Sequence, residues 1–108
     1  LKKYGKIDRN VAVGFRFQCV DRQLARALQL PQFGGLIITE IERRGPADKA
    51  GLIIGDVVYL INSRKVNSGG DIIKIMEDGL LRPGDKLEVD YYRKRKMKKT
   101  WLKLEKRY

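Results

Sequence analysis

Histidine is absent from this 108-residue sequence, and serine occurs only as Ser63 and Ser68. A Ser-His-Asp relay therefore cannot be assembled, and a Cys-His pair fails for want of the same imidazole. The single cysteine, Cys19, has no partner for an internal disulfide. It continues the period-two pattern of Phe15 and Phe17, which predicts a small buried residue on a strand. One thiol and scattered carboxylates match no structural or catalytic zinc set, so neither metal nor cofactor is expected. No apolar run approaches the roughly 18 residues of a membrane-spanning helix. The opening Leu1-Lys2-Lys3 is neither an initiator methionine nor a signal peptide, and the chain is expected to be a piece of a longer protein.

What is present is globular in composition: 43% hydrophobic and 34% charged residues, enough for one compact domain with one modest core. The net charge of +11 raises the question of an anionic partner. Its distribution is uneven. Residues 10–92 carry 11 basic and 11 acidic side chains, whereas 93–108 carry nine basic ones against Glu105. The excess belongs to the two ends, where it reads first as a solvated hairpin tip or tail.

Alternation of β-branched and aromatic residues after Gly14 predicts a strand through Phe15, Phe17 and Cys19. Asp21 is placed to cap a helix over 22–30, which Pro31 and the Gly34-Gly35 pair would stop. A second strand is expected over 36–41, a short helix over 47–50 with Gly51 closing it, and a third strand over 57–61. Residues 62–70 read as a loop. Asp71 would cap an amphipathic helix from Ile72 to about Asp78, and strands over 87–91 and 100–104 would flank a Lys/Arg-rich hairpin tip. The expected fold is α+β: a small, partly open antiparallel barrel or sandwich of five to six strands with two to three short helices.

The segment Arg44-Gly45-Pro46-Ala47-Asp48-Lys49-Ala50-Gly51-Leu52, continuing through Gly55-Asp56-Val57 to Ile61-Asn62, resembles the signature "GSPAxxAGLxxGDxIxxIN" of PDZ domains. Because the strand after Gly14 precedes the signature and the Asp71 helix follows it, the order resembles the bacterial, circularly permuted PDZ domains of HtrA/Deg serine proteases. Tyr4-Gly5-Lys6-Ile7-Asp8-Arg9 looks like the "GKVxRG" stretch joining protease and PDZ domains in that family, and 22–28 resembles its "ELARALGL" helix. The implied organisation is a linker at 1–10, a PDZ domain at 11–105 and a tail at 106–108.

In that family an x-Φ-Gly-Φ loop holds a peptide carboxylate, and the resemblance places it on Ala12, Val13, Gly14 and Phe15. Successive backbone N–H groups around a glycine can form an anion-binding nest. The following strand, Arg16, Phe17 and Gln18, would accept a peptide as an added antiparallel strand, with Ile72, Ile75 and Met76 closing the groove and some of these serving the core instead. Arg16 would stand beside the peptide, either meeting an acidic residue on it or simply solvated. A Gly14→Val replacement is expected to block the carboxylate while leaving the fold largely intact.

The resemblance thus implies a non-catalytic module that captures C-terminal or extended unfolded segments, covalently attached to a serine protease of the bacterial periplasm or cell envelope. PDZ domains of site-2 proteases, tail-specific proteases and secretion components are the alternatives within that class. A different class is nucleic-acid or anionic-membrane binding through 93–107, where Tyr91, Tyr92, Trp101 and Tyr108 accompany the basic residues.

Overall fold

The computed structural model describes residues 13–105; the linker stretch at 1–10, Ala12 and the tail at 106–108 lie outside the described residues. In chain order the elements are β1 (Phe15–Cys19), α1 (Arg22–Ala27), β2 (Leu36–Ile41), α2 (Pro46–Lys49), β3 (Val57–Ile61), β4 (Arg64–Lys65), α3 (Gly69–Asp78), β5 (Lys86–Arg93) and β6 (Lys96–Lys103). All strand pairings are antiparallel. They form one open sheet in the order β1-β2-β3-β5-β6, with β4 paired to β3.

The sheet is covered on both faces. On one side Leu36, Ile38, Val58, Ile61, Leu87, Val89 and Leu102 pack with Ile72 and Ile75 of α3 and Ala47 of α2. On the other, Val57 and Tyr59 pack with Val20 and with Ala25 of α1. Alternation along β3 feeds both cores, which is why its pattern reads as an unbroken apolar run rather than a period-two strand.

Four local differences from the sequence reading have physical causes. Helix α1 stops at Ala27, short of Leu30, because Gln29 adopts φ +57° and the N–H groups of Gln29 and Leu30 turn back to the carbonyls of Arg26 and Ala25. Helix α3 begins at Gly69, with Ser68 at the N-cap position; Asp71 lies inside its first turn and accepts from the Asn67 N–H at 2.7 Å. The Lys/Arg-rich stretch is mostly strand. Only Lys94 and Arg95 turn, both with positive φ, and Arg93 pairs with Lys96 directly across them. Cys19 is exposed rather than buried, since the cover from α3 begins beside Phe17 and Cys19 lies two residues past it.

Candidate peptide groove

Strand β1 is an edge, and among the described residues it pairs with β2 alone. The Gly14 carbonyl accepts from the Glu42 N–H at 2.9 Å, and at the other end the Val20 N–H donates to the Gly35 carbonyl at 3.1 Å. Both even-numbered residues thus turn their backbone toward β2. Antiparallel ladders alternate, so the N–H and C=O groups of Phe15, Phe17 and Cys19 point the other way, along an edge that no other described strand pairs with.

The side chains of the same strand alternate too. Phe15 and Phe17 are half-buried while Arg16 and Gln18 are exposed. The two phenyl rings meet edge-on, 6.0 Å apart, and pack with Val13 and Met76 against the larger core. Phe17 lies so close to the first turn of α3 that a Cβ on Gly69 would stand 3.0 Å from its Cζ. The glycine there lets the helix settle against β1. Beside α3, Phe15, Phe17 and Met76 thus form a half-buried apolar group against one core.

Ile72 and Ile75, expected to share the groove, are each only 4% exposed and belong to the core beneath it. Met76, next to Ile75 on α3, is half-buried and packs against the same core as Phe15 and Phe17. Arg16 reaches Glu40 at 3.6 Å on the neighbouring strand, both side chains being well exposed. An exposed pair of this kind contributes little and leaves Arg16 free to change partners.

Gly14 has φ +83° and is buried. A Cβ placed on it would lie 2.8 Å from Cδ of Pro46 and 3.2 Å from the Ala47 nitrogen. The loop is therefore pressed against the start of α2, and the PDZ-like signature supports Gly14 from behind. This changes the expectation for Gly14→Val: the branched side chain would collide with α2, so the fold itself would suffer.

The feature that sequence reasoning missed is the ion pair of Asp56 and Arg93. Asp56 is 1% exposed, accepts Arg93 Nε at 2.8 Å and Nη2 at 2.7 Å, and also accepts the Ile53 N–H at 2.9 Å. The hydrogen bond from Arg93 to Asp56 holds the guanidinium above its ordinary pKa. In the sequence Arg93 belongs to the basic end and Asp56 to the PDZ-like signature; only the three-dimensional register joins them. Among the described residues no cluster of His, Cys, Asp and Glu could hold a metal ion.

A family profile for the PDZ domain matches residues 11–104. The chain belongs to the PDZ family. This PDZ domain is 34% identical over 99 residues to a protein named "Probable periplasmic serine endoprotease DegP-like" from Ectopseudomonas mendocina, covering 92% of the chain and 20% of that relative. A relative of the same name from Brucella suis is 31% identical over 96 residues, covering 89% of the chain and 18% of its own length. The chain thus spans about one fifth of the length of the curated relatives it matches.

Among solved structures, the HtrA-type protease AlgW with a decapeptide superposes with a TM-score of 0.74 at 24% identity, over 92% of the chain and 30% of that protein. The HtrA3 PDZ domain bound to a phage-derived ligand superposes with a TM-score of 0.70 at 17% identity, over 88% of the chain and 85% of that domain. At these identities the superpositions establish the fold.

Proposed function

We propose that this PDZ domain captures the C-terminal or extended segments of other polypeptides by adding them as a strand to β1, and that it does so as the substrate-binding or regulatory part of an HtrA/Deg-type serine protease of the periplasm. The carrying observation is the edge of Phe15, Phe17 and Cys19, which no other described strand pairs with, lying beside the half-buried apolar group of Phe15, Phe17 and Met76. Main-chain bonds to that edge are sequence-tolerant, whereas the apolar wall selects a hydrophobic side chain at the peptide terminus. Val13, Gly14 and Phe15, with Ala12 before them, are the residues to hold the terminal carboxylate. The positive φ of Gly14 turns the backbone as an anion-binding nest requires.

The names of the relatives support the protease context, and the peptides present in the AlgW and HtrA3 structures support the ligand class. Hydrolysis would belong to the rest of such a protein, since this chain has no histidine to serve as general base.

Titration with a free, apolar C-terminal peptide and with its amidated twin tests the reading. The free peptide should bind with a Kd on the order of micromolar. Amidation removes the charge and should weaken binding by roughly 1.5–3 kcal/mol, the range for hydrogen bonds to charged groups. Equal affinity for the two peptides would overturn carboxylate recognition, and absence of binding by both would overturn strand addition.

A further inference from the structure

Among the described residues seven large apolar side chains are exposed, and six of them, Leu28, Phe33, Ile53, Ile54, Met97 and Trp101, lie on one side of the sheet. Two hollows locate them. One, of about 510 Å³, is floored by Leu30, Ile37 and Tyr92 and edged by Leu28, Ile53 and Ile54. The other, of about 720 Å³, is floored by Val20, Tyr59 and Leu60 and edged by Phe33 and Met97. Both floors belong to the smaller core, so this is the α1 side, opposite the peptide groove. Strand alternation puts Trp101 on the same face as Met97.

Basic residues are interleaved with these apolar ones. Lys94 and Arg95 line the first hollow and Lys65 the second, while Lys99 and Lys103 alternate with Met97 and Trp101 along β6. The acids on the adjoining part of β5 are Glu88 and Asp90; Lys99 stands between them, its Nζ 2.8 Å from Glu88. Among the described residues Lys65, Lys94, Arg95 and Lys103 have no acidic partner within ion-pair distance.

We infer that this face docks on an anionic lipid bilayer. Tryptophan set among lysines is the composition of an interfacial anchor: the indole sits at headgroup depth, and lysine stems lie along apolar surface with their charges at the phosphates. The apolar groups protrude separately between flexible cations instead of lining one closed groove, which suits a fluid surface better than a shaped partner. Anionic headgroups complement the unpaired bases. Docking through this face leaves α3 and the side chains of Phe15 and Phe17 on the far side of the sheet, where the proposed peptide site lies.

Trp101 is the only tryptophan and serves as its own reporter. The 108-residue chain is mixed with large unilamellar vesicles of phosphatidylcholine alone, or with about three-tenths phosphatidylglycerol, at about 0.1 M and about 0.5 M salt. Anionic vesicles at low salt should shift the Trp101 emission to the blue and carry the protein into the pellet, with both effects reversed by salt. Each basic residue near such a surface strengthens binding by about fivefold, so K94Q/R95Q/K103Q should weaken partitioning on the order of 100-fold. All three positions are exposed, and circular dichroism checks that the fold is kept. Trp101→Ala, followed by sedimentation, should weaken partitioning further. Failure to bind anionic vesicles, equal binding to neutral ones, or unchanged binding by the triple variant would each overturn the inference. So would tighter retention by a DNA duplex than by the vesicles.

Discussion

Asp56 and Arg93, 37 residues apart in the chain, form a two-point ion pair that ties the PDZ-like signature to the last hairpin. Arg93 also donates to the Gly51 carbonyl at 2.8 Å, so one guanidinium fixes both sides of the loop between α2 and β3. Arg93→Met should destabilise the domain by about 3 kcal/mol or more, because it leaves a buried carboxylate without its cation. The expected fall in Tm is roughly 10 °C or more for a domain of this size. Combining it with Asp56→Asn should recover part of the loss, and thermal unfolding of both variants checks the pair. A double variant no more stable than Arg93→Met would show that the cost comes from the bond to Gly51 instead.

Tyr59 supplies an alkaline signature. Burial, with a smaller contribution from neighbouring Tyr92, holds its phenol above the ordinary value of 10.0, and its hydroxyl donates to the Gln32 carbonyl at 3.1 Å. The folded state therefore keeps a proton that the unfolded chain gives up first. The corresponding stability is fully present below pH 10 and is lost as pH rises through the folded value. Urea unfolding measured on both sides of that pH should show a shallower alkaline decline for Tyr59→Phe than for the parent. The same slope in both would exclude Tyr59 as its source.

Gly14→Ala tests the loop without a bulky side chain. Holding alanine at φ +83° costs roughly 1–3 kcal/mol. The 2.8 Å approach to Pro46 adds to that cost. Denaturant unfolding should report a clear loss of stability together with weakened peptide binding. Full stability would mean that the loop can move away from α2.

Met76→Ala should weaken binding of a peptide with a large apolar C-terminal residue by about 1 kcal/mol, and affect one ending in alanine much less. The residue is half-buried on α3 and packs against the same core as Phe15 and Phe17. Isothermal titration with the two peptides, alongside melting curves, separates recognition from stability. Equal losses for both peptides would remove Met76 from the specificity wall.

The strands that cross the middle of the sheet were legible to the residue: β2 at Leu36–Ile41 and β3 at Val57–Ile61 are the segments that the apolar pattern picks out. Their boundaries are set by glycine and charge, which act locally. Cys19 failed because alternation reports which side a residue faces, not how far the opposing helix extends. The N-cap of α3 failed because Gly69 and Gly70 have low helix propensity, which packing against Phe17 overrides. The turn at Lys94 and Arg95 carries no glycine or asparagine to announce it. The apolar character of Phe15, Phe17 and Met76 is plain in the sequence, whereas the burial of Ile75 and the partial exposure of Met76 depend on the register of α3 against the core.

The two borders of the sheet differ in character. At β1 the outward backbone groups lie beside phenyl rings, while at β6 the opposite border carries Lys96, Lys98, Lys99 and Lys103 within eight residues. Lysines on an edge strand oppose the approach of another basic strand. A second copy of the domain is therefore opposed at β6, and head-to-tail polymerisation is disfavoured at that border. Growth of the ladder is directed to β1.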